Sequence, residues 1–195
     1  MTFLDLQDLT RVGLRRRSFL SGTALGLSGA AVALLSGRDA LAAAQDKSGN
    51  ATAGDIDILN AAIAAEHNAI AAYGVGAGSG LLKGGVLTLA TTFQGHHKQH
   101  VDVLSGVVTK LGGKPAAAKA SYSFPVETLK TQNDVLRFAA NLEKGAVSAY
   151  LGAVPKFGDH ELAKAAASIL GDEAMHWAIL RQAVGDDPVP AAFVS

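Results

Sequence analysis

Apolar residues recur along most of the chain at intervals of three and four, which is the spacing of one face of an α-helix. Four segments show this pattern, at about residues 55–75, 82–111, 133–154 and 159–184. Asn133 or Asp134 is the expected N-cap of the third segment. Runs of β-branched residues are short, and Ala and Gly are abundant. The pattern therefore predicts an all-α protein with closely packed helices.

The second pair of helices repeats the first. Two stretches recur with the same internal spacing: Glu66 to Tyr73 as Glu143 to Tyr150, and Gly95 to Leu104 as Gly171 to Leu180. Two helical hairpins related by a pseudo-twofold axis form a four-helix bundle. The middle linker, residues 112–132, can extend about 65 Å at about 3.3 Å per residue, whereas a helix of about 30 residues is about 45 Å long. We therefore predict one long crossover between helices 2 and 3.

Six acidic and imidazole side chains lie on the apolar stripes instead of opposite them: Glu66, His97, His100, Glu143, Glu173 and His176. Burying an ionised carboxylate costs several kcal/mol, and a domain is stable by only about 5–15 kcal/mol. Three uncompensated carboxylates would threaten the fold. A histidine one turn away, as in Glu173-x-x-His176, can share a proton or help to bind a cation. Proton sharing accounts for some of the six positions and a metal for all of them, so we predict a metal site.

The same residues carry a family resemblance. A Glu on helix 1, two ligands one turn apart on helix 2, a Glu on helix 3 and Glu-x-x-His on helix 4 resemble the di-metal centre of ferritin-like proteins. The stretches LEKGAVSAYLGAVPKF and AAASILGDEAMHWAILR are similar to an exported ferritin-like family related to desiccation-related proteins. This resemblance covers residues 55–190 and implies a ferritin-like four-helix bundle.

The resemblance also implies roles for five of the six residues. Glu66 and Glu143 would be terminal ligands, Glu173 would bridge, and His100 and His176 would be imidazole ligands. The implied cofactor is a divalent metal, as one or two ions, with Fe favoured and Mn or Zn as alternatives.

Helix 2 departs from the family pattern because His97 stands where the pattern has Glu. A shifted register, Gln94-x-x-His97, is the alternative, but Gln is a poor ligand. Three carboxylates leave one positive charge over on two divalent ions, which a bridging hydroxide would balance. Otherwise the site holds a single metal, or one ion tightly and one weakly. The added imidazole favours nitrogen-binding ions such as Zn, Cu or Fe.

Three further residues border this layer. Tyr73 and Tyr150 lie two turns, about 10 Å, along the same helix faces from Glu66 and Glu143. We expect both rings to pack in the core with their hydroxyls bonded to the polar layer. His96 adjoins the stripe of helix 2, and we expect it to be a polar partner of the ligands.

The N-terminal segment is typical of an export signal. Arg16-Arg17-x-Phe19-Leu20 resembles the twin-arginine motif, and a weakly apolar run and a small-residue stretch follow it. The apolar run is shorter than the roughly 20 residues of a membrane span. We therefore expect cleavage after Ala42 or Ala44 and no stable membrane anchor.

The sequence thus divides into three expected parts: a signal peptide over 1–44, a linker over 45–54 and the bundle over 55–190. The twin-arginine export machinery is an expected partner. The expected location is periplasmic or otherwise exported.

Composition excludes several functions. Lys and Arg (17) balance Asp and Glu (17), so there is no basic footprint for a nucleic acid. With no Cys, disulfides, thiolate metal sites and cysteine nucleophiles are excluded. No nucleotide-binding Gly loop, Ser/His/Asp arrangement or substrate pocket is identifiable.

Two functional hypotheses follow. In the first, an Fe or Mn centre reacts with O₂ or peroxide, as in a ferroxidase- or peroxidase-like oxidoreductase. In the second, the protein is a non-enzymatic metal binder or a stress- or desiccation-protective protein that uses the ion for structure. A third hypothesis, iron storage in a hollow shell, is weaker because nothing in the four helices specifies contacts between subunits of a shell. Homo-oligomer formation stays open.

Overall fold

The computed structural model describes residues 53–194 and contains four long helices. Their bounds are Ala53–Gly78 (α1), Gly84–Lys110 (α2), Gln132–Ala153 (α3) and His160–Ala183 (α4), with short 3-10 turns at Val126–Thr128 and Val154–Lys156. The described residues contain no strand. The all-α prediction is therefore confirmed. The predicted signal peptide and most of the linker lie outside the described residues.

Polar caps fix where the second pair of helices begins. The hydroxyl of Thr131 accepts a hydrogen bond from the Asp134 backbone N–H, and the Asp134 carboxylate accepts one from the Thr131 N–H. This reciprocal capping box makes Thr131 the N-cap of α3, so the prediction of Asn133 or Asp134 was wrong by two or three residues. Asp159 caps α4 by accepting from the N–H groups of Glu161 and Leu162.

Hydrogen bonds at the two ends of the bundle establish the topology. Near the start of α1, the Asn60 side chain donates to the carbonyl of Lys114, just after α2, at 3.1 Å. At the other end, the Lys83 N–H before α2 donates to the side chain of Gln132, the first residue of α3, at 3.2 Å. The segment between Lys114 and Gln132 therefore runs the length of the bundle. This confirms the long crossover, and α2 and α3 start at the same end.

Two apolar clusters fill the interior, one toward each end. One is built around Leu59, Ile63, Leu104, Val107 and Leu162, and the other around Tyr73, Phe93, Val135, Leu136 and Leu180. Burying a Leu or Ile side chain contributes about 1.5–3 kcal/mol. The clusters stabilise the four helices from both ends and leave a middle layer that apolar side chains do not fill.

Candidate metal centre

The six predicted residues lie together in this middle layer. In chain order they are Glu66, His97, His100, Glu143, Glu173 and His176. Five of them are at most 2 % exposed, whereas 14 % of the His100 side chain is exposed. Helical spacing on the apolar stripes is what turns them inward. Their role as metal ligands stays a prediction.

Glu66, His97, His100 and Glu173 form a first group whose ligand atoms could hold one ion. Nδ1 of His97 lies 2.8 Å from Oε2 of Glu66. Nδ1 of His100 lies 3.4 Å from the same Glu66 oxygen and 3.2 Å from Oε1 of Glu173. This group joins α1, α2 and α4.

His97, Glu143, Glu173 and His176 form a second group of the same kind, and all four are buried. Nε2 of His97 lies 3.4 Å from Oε1 of Glu143. Nδ1 of His176 lies 3.5 Å from Oε1 of Glu143 and 3.5 Å from Oε2 of Glu173. This group joins α2, α3 and α4.

Glu173 and His97 belong to both groups and lie between them. Glu173 directs Oε1 to the first group and Oε2 to the second. His97 likewise directs Nδ1 to the first group and Nε2 to the second. A carboxylate can bind one ion with each oxygen, whereas a neutral imidazole has a single nitrogen lone pair. The two residues are equivalent in position and unequal as bridging ligands.

Two tyrosines connect the hairpins at this layer. The hydroxyl of Tyr150 on α3 donates to Oε1 of Glu66 on α1 at 2.6 Å. In return, the hydroxyl of Tyr73 on α1 donates to Oε1 of Glu143 on α3. Burial and the adjacent carboxylates raise the pKa of both hydroxyls, so both stay protonated as donors. Each tyrosine therefore holds the glutamate of the opposite hairpin.

Paired charges hold the layer when no ion is bound. Burial opposes ionisation of Glu66, but hydrogen bonds to His100 and His97 lower its pKa to about 2. Burial also opposes protonation of the histidines, yet their carboxylate partners raise the pKa of His97 to about 10 and that of His100 to about 11. Burial raises the pKa of Glu173. The histidines therefore carry protons that an incoming ion must displace.

Comparison with known proteins decides the family. A family model described as the ferritin-like domain matches residues 54–186. The chain belongs to the ferritin-like domain family. A crystal structure of a conserved hypothetical protein from Mycobacterium tuberculosis has a similar fold, with a TM-score of 0.62 and 25% sequence identity. The similarity covers 72% of this chain and 96% of that chain. No match was found among curated proteins.

Membership in the ferritin-like family implies a metal, and three atoms show whether these residues fit one. Both carboxylate oxygens of Glu173 and Nδ1 of His176 are buried and make no hydrogen bond within residues 53–194, although Nδ1 of His100 lies 3.2 Å from Oε1 and Nδ1 of His176 lies 3.5 Å from Oε2 as ion-pair contacts. A buried polar atom without a partner costs about 1–3 kcal/mol. A cation in contact with these atoms would satisfy all three. The donor set of this ferritin-like layer therefore fits a divalent ion.

Asp172, which the sequence pattern did not indicate, also lies against the layer. Its Oδ2 lies 3.4 Å from Nε2 of His100 and 3.3 Å from Nε2 of His176. Ligating histidines usually donate their second N–H to a carboxylate, which fixes the tautomer and orients the ring. Asp172 thus places a fourth carboxylate beside the ferritin-like layer, where three had left one positive charge over. The signal was the repeat, since Asp172 occupies the position that His96 occupies in the first hairpin.

His96 lies outside the two ligand groups, toward solvent. Its Nδ1 is 2.9 Å from Nε2 of His176 and 3.3 Å from Oδ2 of Asp172, and 37 % of its side chain is exposed. It contacts a predicted ligand and no buried glutamate of the layer.

A groove of about 620 Å³ between α1 and α3 reaches the layer, with Glu66, His97 and Glu143 in its lining. Asn68, Asn141, Ser148 and Lys156 also line it, and about half of the wall is Ala or Gly, including Ala61, Ala62, Ala65, Ala69, Gly145, Ala146 and Ala149. These side chains are too short to fill the space, and α1 contacts α3 less than it contacts α2. The prediction of close packing was therefore wrong between α1 and α3.

No helix of the described part is long and apolar enough to span a bilayer.

Proposed function

We propose that this ferritin-like protein is exported, binds one or two divalent ions in its carboxylate and histidine layer, and acts as an oxidoreductase toward O₂ or peroxide. Fe or Mn is the proposed metal. The observation that carries the proposal is the set of three buried atoms without hydrogen bonds, on Glu173 and His176, where the two ligand groups meet.

The two ligand groups hold the two ions of this proposal. Glu173 would bridge them with its two oxygens. His97 as a neutral imidazole ligates one ion and donates its N–H to the carboxylate of the other group. One ion is therefore held by four protein side chains and the other by three, so the two positions differ in affinity.

The surrounding residues suit oxidant chemistry. The chemistry that Fe or Mn would supply, if held by these residues, is electron transfer to O₂ or peroxide. The groove between α1 and α3, about half of whose lining is alanine and glycine, gives a small oxidant a path to Glu66 and Glu143. The hydroxyls of Tyr73 and Tyr150 hold these two carboxylates in place, and Asp172 holds two of the imidazoles.

A second candidate function is a non-enzymatic metal binder or a stress-protective protein. His97 favours it, because its two nitrogens already contact Glu66 and Glu143 and help to hold the layer without an ion. In that case the ion would add stability and no turnover.

Elemental analysis and an iron oxidation assay test the proposal. The full chain, purified without a His tag, should contain one or two Fe or Mn ions and should oxidise Fe(II) with O₂ or peroxide. The Glu173→Ala variant should lose the tightly bound metal and the activity, whereas the control Glu127→Ala, at an exposed glutamate, should keep both. Bound metal without oxidation supports the second candidate. A metal-free chain that takes up no ion contradicts both.

Export is tested separately. In a bacterial host with a twin-arginine pathway, the wild-type chain should reach the periplasm and lose its first 42 or 44 residues, as mass spectrometry would show. The double variant Arg16→Lys, Arg17→Lys should stay in the cytoplasm at full length. Equal export of both proteins would contradict the proposed route.

A further inference from the structure

A third cluster of metal-binding side chains lies on the solvent side of the layer. It consists of His96 on α2 with Asp172 and His176 on α4. Nδ1 of His96, Nε2 of His176 and Oδ2 of Asp172 lie between 2.9 and 3.3 Å from one another. The side chains of His96 and Asp172 are 37 % and 25 % exposed, so a hydrated ion can reach them.

His176 belongs both to this outer cluster and to the buried second group. Its Nε2 faces His96 and Asp172, and its Nδ1 faces Glu143 and Glu173. The ring of Phe93 stacks on the imidazole with centroids 3.9 Å apart, which fixes these directions. A neutral imidazole binds a metal with one nitrogen and carries a proton on the other. His176 therefore serves the outer cluster or the buried group, one at a time.

We propose that His96, Asp172 and His176 form a loading site, where a divalent transition-metal ion binds before it enters the buried layer. The inference rests on the proposed metal-binding function. Two imidazoles and one carboxylate are a ligand set that such ions prefer.

The loading site and the groove lie between different pairs of helices and suit different molecules. The loading site lies between α2 and α4 and presents charged and polar atoms. The groove lies between α1 and α3, and about half of its lining is alanine and glycine. The imidazoles and carboxylate of the loading site can replace water that an entering cation loses, whereas the alanine and glycine of the groove cannot, and its Lys156 ammonium repels a cation.

Loading kinetics test the proposal. The ion-free full chain is mixed rapidly with Co(II), and the visible absorbance of the bound ion is followed. His96→Ala should load about tenfold more slowly, the low end of the gain in association rate that a local attracting site provides. Its final Co(II) content should equal that of the wild type. The matched control His160→Ala, at an exposed histidine at the start of α4, should load at the wild-type rate.

A second measurement places an ion at the loading site itself. In Glu173→Ala, where the buried layer no longer binds tightly, one weakly bound Co(II) should remain, and adding His96→Ala should remove it. An unchanged loading rate in His96→Ala, or a weak ion that persists in the double variant, overturns the loading site alone. A wild-type chain that binds no Co(II) overturns the buried centre together with it.

Discussion

The first hairpin, α1 with α2, and the second, α3 with α4, share one backbone plan and differ in two side chains at the layer. The matching pairs are Glu66 and Glu143, Tyr73 and Tyr150, and His100 and His176. The two differences are His96 and His97 in the first hairpin, where Asp172 and Glu173 stand in the second.

This difference shows how a symmetric scaffold can carry an asymmetric centre. The first hairpin contributes imidazoles at the two positions where the second contributes carboxylates. The carboxylate that faces both ligand groups and the carboxylate that contacts His100 and His176 therefore both come from α4. The backbone tolerates the exchange because both kinds of side chain project from the same turn of a helix.

The largest expected effect distinguishes Glu173 from His97, the two residues that belong to both ligand groups. Glu173→Ala removes a ligand atom from each ion, so affinity for both should fall by more than the roughly 10–100-fold that loss of an outer partner costs. His97→Ala removes a ligand from one ion only and should leave the other bound. Elemental analysis after dialysis gives the stoichiometries. Equal losses in the two variants would contradict the asymmetry.

The pH dependence is next in size. Without an ion, carboxylate partners outweigh burial and raise the pKa of His97 to about 10 and that of His176 to about 9. An ion must displace these protons, so apparent affinity should fall about tenfold per pH unit per displaced proton as the pH decreases. One proton therefore gives about a 100-fold loss between pH 8 and pH 6. Calorimetry in buffers of different ionisation enthalpy counts the protons, and a count of zero contradicts the protonated layer.

The stability of the ion-free protein should depend on pH in the opposite direction to the metal affinity, and should fall as the pH increases. The folded pKa of His97 lies above its ordinary value of 6.5, so its contribution is complete below pH 6.5 and is lost as the pH rises through about 10. Thermal melts of chelator-treated protein should show a falling melting temperature across that range. The melting temperature of metal-loaded protein should fall less over the same pH range, because the bound ion replaces the protons as the partner of the carboxylates.

The tyrosine pair gives a smaller effect that should be the same in both hairpins. Each hydroxyl donates to a charged glutamate, and such a bond contributes about 1.5–3 kcal/mol. Tyr73→Phe and Tyr150→Phe should each lower the free energy of unfolding by about that amount. Tyr122→Phe, in the crossover, is a control that lies away from the layer. Urea melts of the three variants give the comparison, and unequal losses would show that the hairpins are not equivalent here.

The smallest expected effect comes from making the hairpins alike. His97→Glu supplies the second bridging carboxylate and removes the excess positive charge, so the weaker ion should bind about tenfold more tightly. The stronger ion should be unchanged. His67→Glu, beside Glu66 but outside both ligand groups, is the matched control. Titration calorimetry with Mn(II) measures the affinities of the two ions separately. If the weaker ion does not bind more tightly in His97→Glu, His97 is not the cause of the difference in affinity.

The fold was predictable to a large extent because helical periodicity is local. The stripes placed four helices within three residues of their observed ends, and the length of the middle linker predicted the crossover. The N-cap of α3 was missed because Thr131, Asn133 and Asp134 are all good capping residues. Only the backbone geometry selects Thr131.

The candidate site was predictable to the extent that it follows from spacing along single helices. Glu173 and His176 share a face because they are one turn apart, and the repeat carried the same logic to the other hairpin. Asp172 was missed because it lies one residue off that face. Its contact with His100 depends on how close α4 comes to α2, which no local pattern encodes.

Which residues turn inward follows from the amino-acid order alone, because a side chain's direction on a helix depends on its position in the 3.6-residue repeat. The hydrogen bonds between hairpins follow from the folded arrangement: Tyr73 on α1 donates to Glu143, and Tyr150 on α3 donates to Glu66. The groove along that same pair of helices also appears only there. Contacts between helices depend on their separation and rotation, and these are set by the packing of all four helices together.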